Sequence, residues 1–122
     1  MIMKNNTQDE NELKANNVVY IYKCSHEDCK LRNSAYIGHT TTSLSRRLTC
    51  HLQNGAPRDH ALEAHGIQLT RNELVTNTKI LTRERCQQKL QVKEAVLIKE
   101  MTPSLNIQYD FQGVLKLFDN SV

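Results

Sequence analysis

The chain has 122 residues, 39% of them hydrophobic but few aromatic and none tryptophan, so it fits one domain with a lean core. Its formal net charge of +3 is a mildly basic balance, a weak attraction for phosphate that many unrelated proteins share. No stretch approaches the roughly 20 apolar residues that span a bilayer, and residues 1–17 have no apolar core of the signal-peptide kind. The expectation is an intracellular protein, in cytoplasm or nucleoid/nucleus, with no membrane partner and its cysteines reduced or metal-bound.

Residues 1–17 are rich in Asn, Lys, Glu and Asp without any period and read as a flexible tail. Val18-Val19-Tyr20-Ile21-Tyr22 is a β-branched and aromatic run suited to a strand. Period two places Tyr20 and Tyr22 on one face, Val19 and Ile21 on the other. Ala35-Tyr36-Ile37-Gly38 reads as a second strand. An antiparallel pair needs a turn of only about 2–5 residues, so the longer connection, which contains Cys24 and Cys29, requires a reason of its own.

Thr42 or Ser43 can cap a helix over residues 44–52, which Asn54-Gly55-Ala56-Pro57 ends. A short helix is expected from Arg58 to His65, with Gly66 as its stop. Residues 67–77 are ambiguous. Thr78-Lys79-Ile80-Leu81 suits a third strand, and Thr82 a cap for the last long helix. In that helix Leu90, Glu94, Leu97, Ile98 and Met101 recur at helical spacing, and Pro103 stops it. Residues 108–122 alternate weakly and read as a C-terminal extension.

Two positions break the apolar pattern. Glu94 sits in the stripe of the last helix, four residues from Leu90 and from Ile98, either at its edge with a cationic partner or buried and paired. Arg47 and His51, four apart, share a helix face with Leu44 and Leu48. Arg suits bidentate phosphate binding, and His exchanges protons near neutral pH. Taken alone, Glu94 is better explained as a stripe-edge glutamate paired with a nearby Lys or Arg, and Arg47 and His51 as solvated side chains on a surface helix.

Their order along the chain is more specific. Val18-Val19-Tyr20, then Tyr36-Ile37-Gly38 with Thr40, Leu44-x-x-Arg47-x-x-x-His51, Glu94, and finally Pro103-Ser104-Leu105-Asn106 resemble the GIY-YIG endonuclease family. The resemblance spans residues 18–106. It departs from the family in the first motif, where Val18 and Val19 stand for glycine and isoleucine, and it leaves the role of His39 after Gly38 open.

The resemblance implies a compact α+β domain over residues 18–107, a small, mainly antiparallel three-stranded sheet flanked by helices. It also implies metal-dependent hydrolysis of DNA phosphodiesters. Tyr20, Tyr36, Arg47, His51, Glu94 and Asn106 are the implied catalytic residues, with Mg2+ (or Mn2+) on Glu94. Arg47 would clamp the phosphate, Tyr20 serve as base, Tyr36 position phosphate and water, and Asn106 orient the glutamate helix or touch substrate. A tyrosine of ordinary pKa, about 10, is a poor base at neutral pH and needs help from a cation or from His51.

Cys24, Cys29, His60 and His65 make a plausible tetrahedral zinc set by residue type, with His26 and Cys50 as competing ligands. The five-residue step from His60 to His65 requires one of them to sit at a helix end. A similar pair of cysteines between the motifs and pair of histidines after the catalytic helix occurs in the endonuclease domain of Penelope-like retroelements, which implies a closed, structural Zn2+ site. Cys50 and Cys86 read as ordinary packing residues. The competing expectations are a catalytically weak, zinc-stabilised nucleic-acid-binding module, or a nuclease subunit that needs a targeting partner protein or a homodimer.

Overall fold

The structure, a computed structural model, describes residues 11–26, 29 and 33–106. Val18–Lys23 forms β1, the middle strand of a three-stranded sheet ordered β2-β1-β3. A strand covered on both faces must be apolar or aromatic throughout, and residues 18–22 are all buried. Ala35–Thr40 (β2) and Thr78–Arg83 (β3) both pair antiparallel with β1. The fold is α+β, with helices on both faces of this sheet.

The face bearing Val18, Tyr20 and Tyr22 packs on Leu44 and Leu48 of α1 (Leu44–Gln53) and on Ala56 and Ala61 of α2 (Ala56–His65). Leu74 of α3 (Arg71–Thr76) completes that layer. The opposite face, Val19 and Ile21 with Ala35 and Ile37 of β2, packs on Leu90, Leu97, Ile98 and Met101 of α4 (Gln87–Met101). The period-two reading of β1 therefore describes the two halves of the core.

Helix boundaries follow local chemistry. Ser43 caps α1, its hydroxyl accepting from the Arg46 amide. Gly66 closes α2 in the left-handed region. The ambiguous 67–77 segment resolves into α3, capped by Thr70, whose hydroxyl accepts from the Glu73 amide. Thr82 is not the cap of α4: it pairs with Val19 inside β3, because β1 needs partners along its second edge. The N-cap is Cys86, and the nearby Glu84 carboxylate accepts from the Cys86 amide and pairs with Lys93.

The register of β1 against β3 slips between Val19, opposite Thr82, and Tyr20, opposite Ile80. Leu81 is the surplus residue of this bulge. A bulge increases local twist and re-aims neighbouring side chains, and this one lies directly beside Tyr20.

The expected N-terminal tail is described only from residue 11. Residues 11–17 are docked: Leu13 and Ala15 pack on the core, the Leu44 amide donates to the Ala15 carbonyl, and the Glu84 amide to that of Asn17. The expected extension at 108–122 lies outside the described residues. Among the described residues no helix is long and apolar enough to cross a membrane.

Candidate active site and metal centre

Tyr20 in β1 and Gly38 in β2 are directly opposed. Gly38 is needed for space: a Cβ there would fall 2.6 Å from Tyr20 Oη and 2.9 Å from Tyr36 Cε2. The missing side chain lets both tyrosine rings, with centroids 6.5 Å apart, lie close over the strand. The ring of His51 stands edge-on to both.

Tyr20 is fully buried, and its hydroxyl lies 2.6 Å from His51 Nε2 and 3.3 Å from Arg47 Nε. The polarity of this chain follows from the donors. Arginine can only donate, so Arg47 gives its Nε–H to Tyr20 Oη, which leaves the Tyr20 proton for His51 Nε2. That requires a neutral imidazole carrying its proton on Nδ1. Burial, and then the Arg47 charge, hold the His51 pKa down at about 4, so the ring is neutral at pH 7. Burial pushes the Tyr20 pKa well above its ordinary value, and the repulsion of a tyrosinate at Tyr36 adds to that. The charge and hydrogen bond of Arg47 work against it.

Tyr36 is partly exposed and also interacts with Arg47. With Arg47, Cys50 and His51 it lines a depression of about 140 Å³. Arg47 and Cys50 also border a larger open cleft of about 360 Å³, walled by His39, Thr40, Thr41, Thr42, Arg46 and Gln87. Arg47 thus stands between two adjoining hollows, one leading to the tyrosines and one running past the end of β2 toward α4.

The structure brings Tyr20, Tyr36, Arg47 and His51 together on one sheet face and sets Glu94 apart. Glu94 projects from α4, on the other face, and its Oε2 lies 2.9 Å from His39 Nδ1. Its partner is a histidine rather than the Lys or Arg that a stripe-edge glutamate suggests. The two sides communicate around the end of β2: His39 lines the larger cleft, and the Glu94 charge acts on Tyr20.

Asn106, expected to orient the glutamate helix or touch substrate, is hydrogen-bonded to the backbone of β2. It is buried, accepts from the Ile37 amide at 2.6 Å and donates to the Ile37 carbonyl at 2.8 Å. β2 is an edge strand, so this amide supplies the pairing that a fourth strand would otherwise provide. It also ties α5 (Ser104–Asn106), and through Pro103 the end of α4, to β2. Asn33 assists by donating to the Met101 and Thr102 carbonyls at the end of α4.

The second cluster joins the β1–β2 connection to α2. The ligand atoms of Cys24, Cys29, His60 and His65 all lie within 4.8 Å of one another. Cys24 Sγ is 3.3 Å from His65 Nε2, and Cys29 Sγ lies 3.3 Å from His60 Nε2 and 3.4 Å from His65 Nε2. Tetrahedral zinc, with bonds near 2.3 Å to sulfur and 2.0–2.1 Å to nitrogen, separates such a pair by about 3.5 Å. The group can hold a metal ion, and its donors and spacing are compatible with zinc. His65 is the last residue of α2, which lets it converge with His60 despite the five-residue step.

Neither competitor joins this group. His26 stacks on the His65 ring with centroids 4.1 Å apart, and Cys50 is exposed on α1. Burial, then the neighbouring His65 and His26, lower the His60 pKa and favour the neutral, ligating ring. Burial raises the Cys24 thiol to about 11, so a cation is what makes it a thiolate ligand.

His39 is the residue whose role sequence reasoning left open. The available signal was its position directly after Gly38 in an alternating strand, which turns it away from the tyrosines and toward α4. No family model, no curated protein and no solved structure matches this chain.

Proposed function

We propose that the chain is a metal-dependent DNA endonuclease of the GIY-YIG kind. The observation that carries this reading is the directional hydrogen-bonded run from Arg47 through Tyr20 to a neutral His51, set beneath a cleft reached by Tyr36. A binding module needs arginine and hydroxyl groups, but not a buried tyrosine hydrogen-bonded to a histidine held neutral at pH 7.

In this reading Arg47 turns its guanidinium onto the scissile phosphate, where negative charge grows during attack. That movement uncovers Tyr20 Oη, which Arg47 otherwise caps. Tyr36, facing the depression, holds the attacking water and a phosphate oxygen. Tyr20 takes the water's proton as it passes its own to His51 Nε2, so no free tyrosinate has to form in a buried site. Glu94 suits a divalent cation, because one carboxylate with waters and a substrate oxygen satisfies Mg2+ or Mn2+. Such an ion supplies charge neutralisation at the phosphate oxygens. Asn106 keeps β2 and the glutamate helix in register.

The reading extends to Cys24, Cys29, His60 and His65 as a closed, structural Zn2+ site. It ties the long β1–β2 connection to α2 and reinforces a core short of aromatic residues.

The test combines binding with cleavage. A labelled DNA duplex is incubated with zinc-loaded protein and Mg2+ or Mn2+, then run on native and denaturing gels. The reading expects wild type to bind and cut, and Glu94→Gln to bind without cutting. Binding by wild type with no cleavage under either metal supports the binding-module alternative instead.

A further inference from the structure

We propose that His39 and Glu94 form a mixed imidazole–carboxylate chelate for one divalent transition-metal ion, so that the cleft prefers Mn2+ to Mg2+. The proposal deepens the nuclease reading by naming a second protein ligand and a metal preference.

The two residues arrive from different elements, β2 and α4, separated by 55 positions in sequence. Neither is deeply buried: their side chains are 28% and 22% exposed, so an ion can reach them from solvent. His39 also forms part of the wall of the larger cleft, which Arg47 borders. A cation at this place lies between the glutamate helix and the phosphate-binding guanidinium.

The separation of the two donor atoms already suits a shared ion. His39 Nδ1 and Glu94 Oε2 are 2.9 Å apart. Adjacent ligands of an octahedral ion with bonds near 2.1 Å are separated by about 3.0 Å. The pair exchanges its shared proton for a metal ion by turning each side chain so that its lone pair meets the ion, with the N···O separation kept. Thr40, Thr41 and Thr42 line the same cleft, and the remaining positions suit water and phosphate oxygen.

The nitrogen decides the preference. Mg2+ is a hard ion satisfied by oxygen and water, and it gains little from imidazole. Borderline divalent ions gain more, in the order Mn2+, Fe2+, Co2+, Ni2+. A lone carboxylate would not discriminate in this way.

The experiment uses zinc-loaded protein, so that the Cys/His group is filled, and titrates it with Mn2+ while the electron paramagnetic resonance signal of the free ion is followed. Mg2+ is then added as competitor. The proposal expects one Mn2+ per chain, held about tenfold or more tighter than Mg2+. Pulsed resonance of the bound ion should carry a 14N coupling that changes to 15N in protein grown on 15N-histidine, a measurement that involves no substitution. His39→Asn should remove the coupling and weaken Mn2+ binding by about 10–100-fold, while Glu94→Gln weakens both metals.

Mn2+ bound without nitrogen coupling, coupling that persists in His39→Asn, or no Mn2+ binding at all would each overturn the chelate. DNA cleavage is scored separately. Nitrogen-coupled Mn2+ without cleavage leaves the chelate standing and removes the nuclease reading. Cleavage with a carboxylate-only ion does the reverse.

Discussion

Replacing Gly38 by alanine places a methyl group where both tyrosines already sit. The added Cβ would lie 2.6 Å from Tyr20 Oη and 2.9 Å from Tyr20 Cζ, against ordinary non-bonded separations of about 3.5 Å or more. Tyr20 cannot retreat by that difference, because it is fully buried and its hydroxyl is already 2.6 Å from His51. Overpacking costs about 1–3 kcal/mol. If Tyr20 Oη is driven off His51, the unpaired buried nitrogen adds about 1–3 kcal/mol. The expected loss for Gly38→Ala is therefore about 2–6 kcal/mol in urea unfolding, accompanied by loss of cleavage.

Gly66→Ala is the control. Its Cβ meets nothing within 4 Å, but its φ of +64° lies in the left-handed region. It should cost about 1–2 kcal/mol through backbone strain alone and leave cleavage intact. If Gly38→Ala instead stays within about 0.5 kcal/mol of wild type and cuts normally, the close approach of the tyrosines to β2 has no consequence and the argument fails.

His51 makes stability depend on acid. Its pKa of about 4 in the fold is depressed from 6.5, so its contribution is complete above pH 6.5 and is lost as pH falls toward 4. The loss amounts to about 3 kcal/mol; urea midpoints between pH 7 and 4 should show it, and His51→Gln should flatten that part of the profile. Asn106→Ala strips both partners from the Ile37 backbone and should cost about 2–4 kcal/mol by the same measurement. Asn106→Asp keeps the bond to the Ile37 amide but sets a carboxylate against the Ile37 carbonyl, so it should also destabilise. Elemental analysis of protein purified without chelator should give close to one zinc per chain, falling to background in Cys29→Ser. Removing the ion should lower stability by about 4 kcal/mol relative to free metal at a thousand times its Kd.

Much of this was readable in the residues. Val18 to Tyr22 announce a strand through their β-branched and aromatic run, and their alternation separates the tyrosine face from the α4 face. Ser43 and Gly66 mark helix ends through chemistry confined to neighbouring residues. The pairing of two cysteines with two histidines was legible from ligand type, while their convergence required α2 to end at His65. What stayed hidden depends on register. The slip at Leu81, which extends β3 past Thr82, comes from pairing with β1 and leaves no local signature. The role of Asn106 arises from an unpaired edge 69 residues away in sequence. The separation of Glu94 from the tyrosines, with His39 between them, follows from which face of β2 meets α4. Residues 11–17 look like a tail by composition, yet Leu13, Ala15 and two backbone hydrogen bonds dock them on the core.

The most direct measurement of the central claim is nicking of supercoiled plasmid DNA across the gel-filtration peak of zinc-loaded protein, with Mn2+ or Mg2+ added. Wild type, Arg47→Ala, Tyr20→Phe and Glu94→Gln are purified identically. The account predicts relaxed plasmid whose rate of formation tracks the wild-type protein peak and falls to background in all three variants. Equal nicking by wild type and the variants, or none by wild type with either metal, would contradict it.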